Sequence, residues 1–187
     1  MFSVGEGVQE AIELTNHGFF ERAYTPAANA IVGTVAKVTG GDGQSELAIQ
    51  RFVKDNFLLI SFMGMPRALP LPLNIPFKIK RIMPLFNVLY GVEEIVAFMI
   101  TETLKFGRLP EMVAVGSNGE FEVTKGKLYL PSGLICGLLG SVIFQPENAG
   151  ETIGEECWIS ISDFKMFVSE LFGRRDLVDR IMKFYQT

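Results

Sequence analysis

The sequence predicts a mainly α-helical single domain with a small β-hairpin insertion and an apolar, proline-rich strap. Three observations lead there. Apolar residues recur at three- and four-residue spacing over most of the chain, whereas residues of about 111–130 alternate polar and apolar instead. Between them, "MPRALPLPLNIPFKIKRIMPLF" carries Pro66, Pro70, Pro72, Pro76 and Pro84 among apolar neighbours, a density that excludes a regular helix or a central strand. The chain has 187 residues, enough for one domain to bury a core without staples or metals. The helical core is expected over about 6–64 and 92–187, with the strap at 65–90.

Taken in order, "GVQEAIELTN" sets Val8, Ile12 and Leu14 on one side of a short amphipathic helix that stops at His17 and Gly18. Thr25 before Pro26 reads as a helix start, because threonine caps free amides and proline suits the first helical position. "TPAANAIVGTVAKV" is then a fresh helix with Ala27, Ala30, Ile31, Thr34, Val35 and Val38 toward the core; a kinked continuous helix is the other reading. "TGGDGQ" ends it. Ser45 is the expected cap of "SELAIQRFVKDNFLLISFMG", whose apolar set is Leu47, Ile49, Phe52, Val53, Phe57, Ile60 and Phe62. The strap is expected to lie along the helical core through Leu69, Leu71, Leu73, Ile75 and Phe77.

"VEEIVAFMITETLKFG" opens with Glu93 and Glu94 and closes with Lys105 before Gly107, which suits the helix dipole. "MVAVGSNGEFEVTKGKLYL" reads as a hairpin or three-stranded meander turning at Asn118-Gly119 and Lys125-Gly126. Leu128 to Pro146 is uncharged over nearly the length of a membrane span. Pro131, Ser132, Ser141, Gln145 and the glycines lower its apolarity, so a buried central helix is the expectation. Gly133, Gly137 and Gly140 fall along one side of it, where another backbone can approach closely. A short extended piece around Trp158 and two amphipathic helices, "SDFKMFVSELFG" capped by Ser162 or Asp163 and "RRDLVDRIMKFY", close the chain, divided by Gly173.

The composition is 48% hydrophobic and 20% charged, with mean hydropathy +0.28. So apolar a chain is expected to have a thick core, an apolar groove or a self-association face. A net charge of −4 and a pI near 5.1 argue against a whole-molecule nucleic-acid footprint. Cys136 and Cys157 are the two cysteines and form no paired motif, so they read as core thiols of a reducing compartment. The start, "MFSVGEGVQEAIEL", lacks a basic region followed by an apolar run, and the cytoplasm is the expected location.

No convergent catalytic set stands out. His17 is the single histidine, beside a helix end, where a cap or surface role is commoner than catalysis. No His or Cys cluster has metal-ligand spacing, "TGGDGQ" lacks the Lys-Ser or Lys-Thr of a phosphate loop, and no cofactor is implied. Adjacent Glu93-Glu94 and Glu155-Glu156 point apart. The most informative polar set is Arg22 with Arg51, Lys54, Asp55 and Asn56, the last four from "RFVKDN" inside an otherwise apolar helix. Arg51 and Asp55 are four apart, so they are neighbours on one helix face. That spacing admits a structural ion pair or a polar pocket for a small anion or nucleotide. Lys78, Lys80 and Arg81, with Lys105 and Arg108, are the candidates for a basic patch; a solvated flank explains the first three equally well.

"AYTPAANAIVGTVAK", then "RFVKDN", "EEIV" with a later "LP", and "LPSGLICGLLGSVIFQPEN" resemble a group of bacterial proteins similar to HEPN domains, small helical bundles of toxin, defence and RNA-processing systems. The resemblance runs from Tyr24 to Asn148. It implies a dimer whose active members cleave RNA without metal through an Arg-x4-6-His motif. The corresponding stretch here, "MITETLKFGRLP", has no histidine, and Arg108 follows the helix, so the resemblance implies a module that has lost that chemistry. A non-catalytic binding or interaction protein is therefore expected, pairing with itself or another protein through an apolar helical face. The alternative is a ribonuclease or RNA-binding protein using Lys105, Arg108 or His17.

Overall fold

A computed structural model describes residues 3–65, 92–116, 121–124, 127–161 and 164–185. The expected strap except Met65, the basic residues Lys78, Lys80 and Arg81, both expected hairpin turns, and the caps Ser162 and Asp163 lie outside the described residues. The mainly helical class with a small β insertion is what the described chain forms.

Helix α1, Val4–Asn16, begins with a full capping box: Ser3 Oγ accepts from Glu6 N at 3.0 Å, and Glu6 accepts from Ser3 N at 2.8 Å. It buries Val4, Val8, Ala11 and Ile12, and Gly18 at φ +78° turns the chain after it. Helix α2 spans Phe20–Thr39 without interruption, with Pro26 inside it. The expected start at Thr25 is thus corrected in favour of the continuous helix. Arg22 N and Ala23 N already bond to Phe19 O, so the turn ahead of the proline is helical. Thr25 Oγ1 is spent on Gly107 O at 3.0 Å instead of a cap. A proline inside a helix costs about 3 kcal/mol; here its buried turn lies against α1, where a Cβ on Gly7 would sit 3.0 Å from Pro26 O. Tertiary packing outweighs the local penalty. Val38, expected inside, is exposed.

Helix α3, Glu46–Gly64, has Ser45 at its N-cap position but no side-chain cap bond. Ile49, Phe52, Val53 and Ile60 are buried as expected, and Phe57 packs against the core; Leu47 is 77% exposed. Helix α4 follows at Val92–Phe106 and α5 at Leu134–Ile143. Nine of the ten α5 residues are buried. Among the described residues no helix is long and apolar enough to cross a membrane. The uncharged run is shared between a strand and this short helix. The glycine side of α5 meets α3 as its spacing implied: a Cβ on Gly133 would fall 2.5 Å from Gly64 O, and one on Gly137 would overlap Ile60 O. At Gly140 the neighbour is the Met63 side chain.

Strands β1 (Val113–Gly116), β2 (Glu122–Thr124) and β3 (Lys127–Pro131) form one sheet in the order β1-β3-β2. The meander is corrected: β2 and β3 are antiparallel, Val123 opposite Leu128, but β1 runs parallel to β3, Val113 opposite Leu128. Strand β3 carries the fully buried Leu128 and Leu130 and so takes the centre, while polar β2 accepts an edge. Strands β4 (Trp158–Ile161) and β5 (Phe164–Phe167) pair antiparallel, Trp158 opposite Phe167. The helix expected over "SDFKMFVSELFG" is therefore a strand followed by a 3-10 turn at Val168–Glu170. Its three- and four-residue apolar spacing is met differently: β5 pairs with β4, while Val168, Leu171 and Phe172 are buried from the turns that follow. Helix α6, Arg175–Tyr185, closes the described chain after Gly173 at φ +76°.

Candidate functional site

The C-terminal end of α5 is where distant polar groups meet. The Gly173 amide donates to Ile143 O at 2.8 Å, supplying one of the carbonyls that a helix end leaves unpaired. That bond docks the start of α6 against α5. Arg175, first residue of α6, then reaches α3: its Nη1 donates to Asn56 Oδ1 at 2.9 Å. The same oxygen accepts from Gln145 Nε2 at 2.8 Å, and Asn56 Nδ2 donates to Phe52 O at 2.9 Å. Asn56 is only 5% exposed, so an unpaired amide there would be costly, and three partners satisfy it.

Behind this layer, Asn148 Nδ2 donates to Thr34 Oγ1 at 2.9 Å and to Val142 O at 2.8 Å, and Thr34 passes a bond to Ala30 O at 2.8 Å. Both side chains are fully buried, and Asn148 Oδ1 has no partner among the described residues. These bonds pin the loop after α5 to α2 and to the last turn of α5, and Gln145 in that loop adds the bond to α3.

In front of it lies a cleft of about 580 Å³ between α2, α3, Gln145 and α6. Its apolar wall is Val35, Val38, Ala48 and Phe52; its polar groups include Arg51, Asp55, Asn56, Gln145 and Arg175. The predicted set is thus divided. Arg51 and Asp55 line the mouth as an exposed i,i+4 pair with Nε to Oδ2 at 3.8 Å, longer than a hydrogen bond. Asn56 sits at the base as an organiser of Arg175. Lys54 lies at a neighbouring cleft of about 480 Å³ with Glu93 and Glu94 of α4, and Arg51 borders both. Arg22 is not with them; it stacks over the Phe19 ring at 5.3 Å from its centre.

Arg175 keeps donors beyond its bond to Asn56, since its nearest carboxylate, Asp179, is 3.7 Å from Nε. The adjacent Arg174 is committed: Nε and Nη2 grip Asp176 at 2.8 and 3.0 Å. That hydrogen-bonded fork holds the Asp176 carboxyl below its usual range and raises the guanidinium in turn.

The remaining expected groups stand apart. Lys105 Nζ bonds Glu102 at 2.8 Å, which raises its pKa, and Arg108 Nη2 bonds Glu111 at 3.0 Å. Arg108 borders a third cleft, of about 470 Å³, together with Glu10, Glu21, Arg22 and Lys127. His17 is tied to its own helix, Nδ1 lying 2.7 Å from Glu13 O. Cys157 is buried and Cys136 half-buried, both free thiols with pKa pushed up by burial, which leaves them poor nucleophiles.

Sequence reasoning missed Gln145 and Arg175. One signal was present: an arginine in the first turn of a helix opposes the dipole preference, which marks Arg175 as serving a partner outside its helix. Gln145 read only as one of the polar residues that lower the apolarity of the run from Leu128 to Pro146.

A family described as Rv1289 matches residues 102–187, a span that contains Gln145, Asn148 and Arg175 but not Arg51 or Asn56. Over 184 residues the chain is 26% identical to uncharacterized protein Mb1320 of Mycobacterium bovis, covering 93% of this chain and 85% of that protein. The same figures describe the match to uncharacterized protein Rv1289 of Mycobacterium tuberculosis. No solved structure matches.

Proposed function

We propose that this protein is a non-catalytic binding protein whose cleft between α2, α3 and α6 receives a small anion. The observation that carries this reading is the meeting of Arg51 and Arg175, far apart in the chain, at one cleft with an apolar wall. Among the described residues, neither guanidinium is held by a carboxylate within hydrogen-bond distance, and small-ligand sites join such sparse polar groups to apolar walls. Among the described residues, the cleft lining includes no histidine and no cysteine, the commonest partners of a catalytic base or nucleophile. Screening small anions by the shift they cause in melting temperature tests the reading. At a concentration of about 100 Kd, a ligand stabilises by about 2.7 kcal/mol, and Arg51→Ala is expected to abolish that shift. A ligand that protects the variant as well as the wild type overturns the placing.

A second reading, self-association, rests on α3. Leu47, Arg51, Lys54 and Leu58 recur at spacings of four, three and four, which is one stripe of a helix. Leu47 and Leu58 are 77% and 47% exposed on it. Light scattering after size exclusion checks it: a dimer that Leu47→Glu dissociates supports it, and a monomer at high concentration ends it. The HEPN-like alternative of RNA cleavage or RNA binding ranks behind both, because Lys105 and Arg108 are each paired with a carboxylate of their own segment. Metal-free RNA cleavage lost in Lys105→Ala and Arg108→Ala would bring it forward.

A further inference from the structure

The charge and shape of the same cleft narrow the ligand class, an inference that rests on the anion-binding reading above. Arg51 and Arg175 bring two positive charges to the lining, and Asp55 brings one negative charge back. The charged lining residues therefore sum to a single positive charge. A monoanion balances it; a dianion such as a phosphate ester exceeds it and also faces the Asp55 carboxylate at close range, where like charges repel.

Donor geometry selects further. Guanidinium groups present planar forks of N–H donors that match the two oxygens of a carboxylate. Arg175 spends Nη1 on Asn56 and is thereby oriented, because Asn56 is itself fixed by Gln145 and the Phe52 carbonyl. Arg51 lies across the mouth with its side chain 85% exposed and only a 3.8 Å contact to Asp55, so it is able to turn toward a bound acid. Val35, Val38, Ala48 and Phe52 give the cleft an apolar wall suited to a hydrocarbon body, and Thr39 beside them spends its hydroxyl proton on Val35 O at 2.8 Å.

We propose that the cleft binds a monocarboxylic acid with a short apolar body, its carboxylate between Arg51 and Arg175 and its chain against Val35, Val38 and Phe52. Asp55 acts as the discriminator against dianions. Arg175 is the fixed anchor and Arg51 the adjustable one.

Titration calorimetry with sodium hexanoate, hexanamide and n-hexyl phosphate on the full chain tests this. Hexanoate is expected to bind at least tenfold more tightly than hexanamide and more tightly than hexyl phosphate. Arg51→Ala and Arg175→Ala are each expected to weaken hexanoate at least tenfold. Arg51 is exposed, so its variant keeps the fold, and circular dichroism of both variants checks that they remain helical. Asp55→Asn is expected to reduce the preference for hexanoate over hexyl phosphate at least threefold. Arginine-dependent binding of hexyl phosphate tighter than hexanoate overturns the carboxylate class and leaves the anion cleft standing. Hexanamide binding as tightly as hexanoate also overturns the class. Absence of arginine-dependent binding by either anion overturns the class and the anion-binding reading together.

Discussion

The two sides of α3 solve opposite problems. Toward α5 the contact is a dry seam in which Gly133 and Gly137 let backbone meet backbone at Gly64 and Ile60. Toward α6 the contact is polar and open, with Asn56, Gln145 and Arg175 sharing one buried oxygen at the back of a cleft. The seam gains from close packing, since atoms brought to contact distance add many small dispersion terms. The cleft forgoes that packing and retains unspent arginine donors. Close packing is concentrated on one side of the helix, and the proposed anion site lies on the other.

The largest expected effect breaks the seam. Gly137→Ala drives a methyl group into the Ile60 carbonyl and is expected to lower stability by about 3 kcal/mol, or roughly 10 °C in melting temperature for a chain of this length. Thermal unfolding followed at 222 nm reads it directly; an unchanged melting temperature would dissolve the contrast between the two sides.

Next comes the back of the cleft. Asn56→Ala strips the Gln145 amide and the Arg175 guanidinium of their common acceptor, with an expected loss of about 1–3 kcal/mol. Urea unfolding should show a lower midpoint at unchanged slope, and anion binding should weaken because Arg175 loses its orientation.

Tyr24 sharpens the comparison from the α2 side. Its hydroxyl is buried without a partner among the described residues, and burial first, then the nearby Cys136 of α5, pushes its pKa far above the usual 10.0. A group whose folded pKa is raised holds its full contribution below the unfolded value and loses it as pH rises. Stability should therefore fall above about pH 10. Tyr24→Phe is expected to reduce that alkaline slope, to which the raised thiols of Cys136 and Cys157 also contribute, and to leave neutral-pH stability nearly unchanged, since no hydrogen bond is lost. Chemical denaturation at pH 7 and pH 10.5 separates the two. An equal slope in both proteins would mean that other groups govern the alkaline limb.

The smallest expected effect on stability is at the mouth. Arg51→Ala should move unfolding free energy by less than about 0.5 kcal/mol, because its ion pair with Asp55 is long and exposed. A loss above 1 kcal/mol would assign Arg51 to the fold and not to the ligand.

How much of this was legible varies by element. The apolar side of α1, the dipole-matched charges of α4, the glycine side of α5 and the break at Gly173 are carried by near neighbours in sequence. Three readings failed where a local signal met a pairing partner outside its own segment. Thr25-Pro26 has the chemistry of a helix start, yet α1 and Gly107 complete a continuous α2 around it. "FKMF" fits a helix until Trp158–Ile161 supplies a ladder. The meander was undone because β1 finds its partner in β3. The candidate site was half legible: Arg51 and Asp55 from their spacing, Arg175 and Gln145 only from the fold.

By itself, then, the sequence determined the helical class, the places where glycine admits a second backbone, and an unusually apolar core bordered by few charges. Those follow from periodicity and side-chain size, which act over a few residues. Tertiary structure alone decided which face of α3 is buried against α5, which strand takes the centre of the sheet, and that Arg175 and Arg51 line one cleft. Such pairings depend on burying polar groups only where a partner waits, and the partner of Asn56 lies 119 residues away.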